Sequence, residues 1–331
     1  MKPLLCAWLA ISTLCFMLPA RAQLAPGSMD VQWSTANAHC EAKAPPPIQV
    51  HRYNATTFVL RESLCETVEA PFMYLLVGTD KALLIDTGDV AEPNRVPLGS
   101  TVMSLLPQTN GSTLPLIVVH THGHLDHRTG DSQFAQRPNT QVVGTDLDHV
   151  KSFFGFTDWP NGVAQLDLGG RVIDVLPTPG HYASHVLYYD RMTGLVFSGD
   201  FLLPGRLLIE DRTADLASAR RVADFFKDRP VSYVLGGHIE LDKNGALSGL
   251  GTSYHPDERA LPMSKQDLLD LPDTVADFNG FYSTHGMFVM MNQNRVLLTL
   301  LAAAVAIVGG VIYGLRRFLR RRKARRMAAM A

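Results

Sequence analysis

Four histidines and an aspartate fall within eight residues at His120-Thr121-His122-Gly123-His124-Leu125-Asp126-His127. Neutral imidazole nitrogen and carboxylate oxygen at that density make a ligand set for zinc or a similar divalent ion, not the content of a packed core. Residues two apart on extended chain point the same way. His122 and His124 can therefore grip one ion, while Asp126 and His127 turn toward a second position. Three more ligand-type side chains each follow a glycine: His181 after Pro177-Thr178-Pro179-Gly180, Asp200 after Ser198-Gly199, and His238 after Gly236-Gly237. Each closes an apolar stretch, and strand ends along one sheet edge are where such sites are assembled. No Gly-x-Ser-x-Gly or similar nucleophile motif competes with this ligand chemistry.

The stretches that must position these groups are short and β-rich. Ile48–Tyr53, Thr57–Leu60, Met73–Val77 and Lys81–Ile85 read as consecutive strands separated by turns such as Gly78-Thr79-Asp80. Leu116–Val119 runs into the histidine loop, the neighbourhood of Gln133 is helical, and Gln141–Val143, Arg171–Leu176, Val186–Asp190, Leu195–Phe197 and Ser232–Leu235 are further strands. Asp215–Lys227 carries apolar residues at helical spacing. Many strands with a few helices between them predict an α/β domain built on sheet layers. Between the histidine loop and His181, the segment Lys151–Gly162 holds Phe153, Phe154, Phe156 and Trp159, which fit an apolar lid or ordinary core equally well. Arg206, Lys243, Tyr254 and His255 are candidate substrate contacts.

In order along the chain, Ile85-Asp86-Thr87-Gly88, Thr121–His127, Pro177–His181, Phe197–Asp200 and Gly236–His238 resemble the motifs of the metallo-β-lactamase superfamily. The resemblance implies an αββα sandwich with a metal site at one edge of its two sheets. It implies that His122, His124 and His181 hold one metal, that Asp126, His127 and His238 hold a second, and that Asp200 bridges both. Two Zn2+ ions are the expected pair, with iron or manganese as alternatives. Asp86 matches the carboxylate that supports the site from the Asp-Thr-Gly turn, while His120 and His185 match no ligand position and are expected to support the site without binding metal. Two such ions share a water whose pKa falls from about 16 toward about 7, giving a hydroxide at neutral pH. Asp126 is the expected catalytic residue, orienting that hydroxide and taking up its proton. In this family the position of Asp200 is usually Cys or Ser in dedicated β-lactamases, and Asp in thioesterase-like, lactonase-like and phosphodiesterase-like members. The expected substrate is accordingly a small molecule with an ester, thioester, lactone or related bond. A β-lactamase, an iron-dependent sulfur oxygenase of the same fold and a non-catalytic metal-binding protein are the rival readings.

Charge says where this domain resides. The 331-residue chain has 30 Lys+Arg against 31 Asp+Glu, but eight of the cations lie between Arg316 and Arg326 and two lie within residues 1–22. Residues 23–295 keep 20 cations against 31 acids, a net charge of −11. So acidic a body disfavours nucleic acid as a partner, and 46% apolar with 18% charged residues excludes disorder. Lys2, the apolar run Leu4–Leu18 and the small-x-small Ala20-Arg21-Ala22 mark residues 1–22 as a signal peptide. Residues 23–47 read as an extended segment ending in Pro45-Pro46-Pro47, and 48–295 as the exported domain. Val296–Leu315 is twenty residues without a charge, roughly 30 Å as a helix and enough to span a bilayer. The cations of residues 316–331 then form a cytoplasmic tail. The reading is a single-pass membrane protein with its domain extracytoplasmic, periplasmic in a bacterium. Ala302, Ala306, Gly310 and Gly314 make a small-residue stripe through which two copies could pack as a homodimer. With the signal removed, Cys40 and Cys65 remain, an even count that permits a disulfide in an exported domain; two separate thiols are the alternative.

Overall fold

The computed structural model describes residues 23–330 apart from 36–37, 110–111, 250 and 287, so the signal-peptide reading of residues 1–22 lies outside the described residues. The chain opens with an antiparallel meander, β1 (Ile48–Asn54), β2 (Thr57–Glu62), β3 (Phe72–Val77) and β4 (Ala82–Ile85). Helix α1 (Leu98–Leu105) and a small hairpin, β5 (Gln108–Thr109) with β6 (Ser112–Thr113), lead to β7 (Leu116–Val119). After helix α2 (Leu125–Arg128) and a 3-10 turn at Thr129–Gln133 comes β8 (Thr140–Val142). The first sheet has the order β1-β2-β3-β4-β7-β8, with β4, β7 and β8 parallel.

Helix α3 (Leu147–Phe154) crosses to the second sheet, made of β9 (Ala164–Asp167), β10 (Val172–Pro177), β11 (Val186–Asp190) and β12 (Leu195–Gly199). A short strand β13 (Arg206–Leu208) and helix α4 (Arg212–Phe226) precede β14 (Tyr233–Gly236), which completes the order β14-β12-β11-β10-β9. Helix α5 (Lys265–Ala276) is followed by β15 (Tyr282–His285) and β16 (Phe288–Met291), which join β13 in a third, three-stranded sheet. The chain ends in helix α6 (Gln293–Ala328).

Apolar side chains on alternate residues explain the layering. On β3, Phe72, Tyr74 and Leu76 face the second sheet and pack with Ile173, Val175 and Phe197, while Met73, Leu75 and Val77 face Leu98 and Val102 of α1. On β12, Leu195 and Phe197 point inward and Val196 packs outward against Val222 and Phe226 of α4 and Leu268 and Leu271 of α5. Both sheets are thus covered on both faces, and central strands such as β3 and β4 are unbroken apolar runs without polar alternation. The result is an α/β sandwich with helices on both outer sides. Residues 23–35 hold no helix or strand; they lie along the sandwich with Trp33 buried against Phe72, and Cys40 is disulfide-bonded to Cys65.

The aromatic segment packs against the core between the sheets, with Phe156 buried and Phe153, Phe154 and Trp159 partly buried. Phe153 and Phe154 end α3, and Phe154, Phe156 and Trp159 stack in turn beside Tyr188 between the sheets. Helix α6 is long and apolar enough to cross a membrane, and its apolar stretch is not covered by the other described residues. It runs without a break from the charge-free stretch through the basic residues to Ala328.

The edge where β3 ends is closed by one buried cation. Arg171 donates from Nη2 to Asp190 Oδ2 and Thr57 Oγ1, each at 2.7 Å, and from Nη1 to the carbonyl of Thr56 at 2.8 Å, so one guanidinium joins both sheets. Both partners of the Arg171–Asp190 pair are fully buried. Removing the cation strands a buried carboxylate, and Arg171→Ala should lower stability by about 3–5 kcal/mol, read as a drop in the urea midpoint.

Candidate metal centre

The opposite edge gathers the C-terminal ends of β4, β7, β10, β12 and β14, and every ligand-type residue singled out in the sequence sits there. His122 Nε2, His124 Nδ1 and His181 Nε2 lie 2.9–3.2 Å from one another. Beside them, Asp126 Oδ2 is 2.9 Å from both His127 Nε2 and His238 Nε2, which are 3.3 Å apart. Asp200 stands between the two nests. Its Oδ2 is 3.7 Å from His181 Nε2 and 4.0 Å from His122 Nε2, and its Oδ1 is 3.4 Å from His127 Nε2 and 3.6 Å from His238 Nε2. Two His/Asp nests sharing one carboxylate are consistent with a dinuclear metal site.

Hydrogen bonds on the far side of the rings set their tautomers. His181 donates from Nδ1 to the Leu208 carbonyl at 2.8 Å, His238 from Nδ1 to the Glu69 carbonyl at 3.2 Å, and His127 from Nδ1 to Asp86 Oδ2 at 2.9 Å. Each bond uses the Nδ1 proton and leaves the Nε2 lone pair aimed into its nest, the arrangement that metal-binding imidazoles require. Among the described residues, Asp200 Oδ1 is buried with no hydrogen-bond partner. A buried carboxylate oxygen without a donor is costly, and a cation between the nests would satisfy it. The residues present therefore fit a pair of divalent ions.

Local backbone explains how the groups arrive. Asp86 has a left-handed φ of 64°, a region that aspartate tolerates better than most residues. Its carboxylate turns back over the end of β7, where Oδ1 accepts the Thr121 N–H at 2.7 Å while Oδ2 holds His127. Gly199 has φ 49°, and a Cβ there would lie 2.6 Å from Thr121, so only glycine lets β12 deliver Asp200 so close to the histidine loop. His120 pairs with Asp131 at 2.8 Å and accepts the Tyr188 hydroxyl on its carbonyl. His185 hydrogen-bonds Thr178 and stacks on His122 with ring centres 5.2 Å apart. Neither belongs to a nest.

The two nests differ electrically. Burial, reinforced by the neighbouring imidazoles, pushes His122 well below the ordinary histidine range, and burial followed by His181 lowers His124. In the other nest burial opposes charge but is outweighed. Asp200 and Asp126 lift His238 to about 10, and Asp126 followed by Asp86 raises His127. His127 and His238 in return hold Asp126 well below the carboxylate range.

A groove of about 450 Å³ opens over the nests, lined by Glu69, Leu125, Asp126, Arg206, Glu240 and Gln293 among others. Of the four candidate substrate contacts only Arg206 lines it, and its guanidinium is already bound to Glu240 at 2.6 Å. Lys243, Tyr254 and His255 lie elsewhere. His255 faces Glu258 and Thr252, and Lys243 and Tyr254 belong to the Leu241–Glu258 loop. Sequence reasoning missed Glu69 and Glu62. Glu62 braces the Asp86 turn, accepting the Asp89 N–H at 3.1 Å, with its other oxygen buried and unpartnered.

Residues 67–238 match the profile described as the Metallo-beta-lactamase superfamily. The chain is 30% identical to a hydroxyacylglutathione hydrolase of a Synechococcus species over 40% of this chain and 50% of that one. It is 25% identical to an acyl-coenzyme A thioesterase of Bos taurus over 60% of this chain and 83% of that one. A solved structure titled metallo-beta-lactamase from Pontibacter korlensis aligns with TM-score 0.48 and 17% identity, covering 70% of this chain and all of that one. The chain spans about half the length of the first curated relatives it matches.

Burial pushes Glu62 up to about 8, far above a carboxyl in an unfolded chain. Through Glu62 the folded protein holds one proton more than the unfolded chain between about pH 4.5 and pH 8, and the stability this group contributes falls as pH rises through that window. The buried Asp215 carboxyl, also raised to about 8, adds a like contribution. Glu62→Gln should remove its own share of the slope, so that urea midpoints of variant and parent, compared at pH 5 and pH 8.5, shift in the variant's favour by the equivalent of a few kcal/mol at the higher pH.

Proposed function

The chain belongs to the metallo-β-lactamase superfamily, and within it we propose a dinuclear zinc hydrolase of an acyl ester, thioester or lactone, held to a membrane by α6 with its domain extracytoplasmic. The observation that carries the reading is Asp200, whose two carboxylate oxygens face different nests and whose Oδ1 has no other partner. His122, His124 and His181 would hold one ion, Asp126, His127 and His238 the other, and Asp200 both. The ions when bound would acidify a shared water and polarise the substrate's carbonyl oxygen.

The remaining work falls to the chain itself. Leu208, Glu69 and Asp86 fix the ring orientations through the Nδ1 protons they accept. Asp126 faces the groove, where its carboxylate would orient the attacking water and accept its proton as the bond to the acyl carbon forms. Two of the relatives are named for acyl thioesters, hydroxyacylglutathione and acyl-coenzyme A, which supports acyl transfer to water as the reaction class. Membrane attachment is supported by the length, apolarity and full exposure of α6 and by the cations at its end.

The purified full-length protein should hold two zinc ions per chain, measured by elemental analysis; fewer than one after incubation with zinc or iron would overturn the reading. Asp200→Ala should leave at most one tightly held ion and lower turnover at least ~100-fold with an unchanged far-UV spectrum. Asp86→Ala, which touches no ion, should weaken zinc retention against a chelator by about 10–100-fold.

A further inference from the structure

The groove runs from the nests to the base of the apolar helix, and we infer that the substrate is a long-chain acyl ester or thioester taken directly from the bilayer, neutral or zwitterionic at its head. This rests on the hydrolase and membrane readings above. Gln293, the first residue of α6, lines the groove over the nests. It also lines an adjoining cleft of about 570 Å³ whose walls include His124, Tyr182, Leu208, Asn294 and Leu297. From Gln293 to Val296, where the charge-free stretch begins, is three residues, about 4.5 Å along a helix. The headgroup layer on each side of a bilayer is about 5–8 Å thick, the difference between the full and hydrocarbon thicknesses shared between two faces. The groove therefore opens at headgroup depth, the level at which a lipid carries its ester or thioester carbonyl.

The connection has no slack to lift the groove away. Only Asn292 separates β16 from α6, and its side chain donates to the carbonyls of Ile209 and Glu210 while capping the Arg295 N–H. Arg295 in turn donates to the Gly280 carbonyl at 3.1 Å. Apolar side chains surround this root. Phe281, whose carbonyl accepts the Asn292 N–H, and Tyr282, paired with Met291, are each 42% exposed, the placement expected of aromatic residues at a membrane surface. Leu125, next to Asp126 on the groove wall, is 63% exposed, and Leu297 in the adjoining cleft is 55% exposed. The acidic walls argue against a highly anionic carrier. Glu69, Asp146 and Glu210 line the two clefts, and the one arginine there is neutralised by Glu240. In the reaction, water adds to the acyl carbon and the bond to the alcohol oxygen or thiol sulfur breaks. The leaving group takes a proton, releasing a fatty acid and the alcohol or thiol.

Full-length protein in phosphatidylcholine vesicles, supplied with zinc, would be assayed on thioesters of one neutral thiol with acetyl to hexadecanoyl chains. The expected result is a kcat/KM at least ten-fold higher for dodecanoyl than for acetyl, and a ratio at least five-fold smaller in both Leu125→Asp and Leu297→Asp. A ratio unchanged in both variants, with zinc content and far-UV spectrum as in the parent, would overturn the inference. In parallel, a dodecanoyl photoprobe in the same vesicles should label peptides containing Leu125 and Leu208. Labelling confined to residues 296–315 would overturn the inference whatever the rates. Turnover independent of chain length would overturn it and leave the hydrolase reading standing, whereas no turnover on any thioester, ester or lactone by a protein holding two zinc ions would overturn both.

Discussion

Lone pairs that face one another repel, and the edge of this sandwich holds seven donor side chains in two nests, each with its ligand atoms within 4.8 Å of one another. In the nest of His122, His124 and His181 nothing favours that arrangement without a cation, whereas in the other nest Asp126 attracts His127 and His238, so the rest of the molecule must impose at least the first. The imposition is mostly backbone. Leu208 and Glu69 contribute carbonyls, Asp86 is turned over the end of β7 by a left-handed residue, and Gly199 brings β12 into contact with Thr121. The stiffness behind these contacts is that of two sheets buried on both faces and tied together at the far edge by Arg171. Stability stored away from the site thus holds strained electrostatics at the site, which is the usual division between scaffold and function.

The same division explains what could be read in the sequence. The nest residues were legible because glycine-flanked His and Asp at the ends of apolar runs have few other reasons to be there. Central strands are legible for the same apolar runs, yet the apolar pattern of β2 stops at Leu60, before the charged Arg61 and Glu62. The strand continues through both, because Arg61 finds Glu258, 197 residues away, at 2.6 Å, and because burial keeps Glu62 protonated. No local pattern announces a partner at that distance. Glu69 was invisible for a different reason: its carbonyl orients His238, and a carbonyl carries no residue identity. Helix α5 did carry a signal, the capping box of Ser264 and Asp267, but Pro272 inside it masks the helical pattern. The aromatic run at 153–159 could not be decided from composition, since a lid and a core wall draw on the same side chains, and only its position between the sheets decides it.

The third sheet is where the site and α6 meet. Its strand β13 ends at Leu208, whose carbonyl orients His181, and lies parallel to β16 with Leu208 opposite Met291. One residue later Asn292 caps α6 and returns two hydrogen bonds to Ile209 and Glu210, and the Glu210 N–H closes the circuit on the carbonyl of Gly180, the residue before His181. The path from a nest imidazole to the apolar helix is therefore a few residues of hydrogen-bonded strand with no flexible loop in it. A domain that needed only to be tethered would do as well on a long polar linker, which costs little entropy to lengthen. A rigid root fixes the height and tilt of the groove relative to the helix, and under the membrane reading proposed above that constraint sets the depth of the bilayer at which the groove opens.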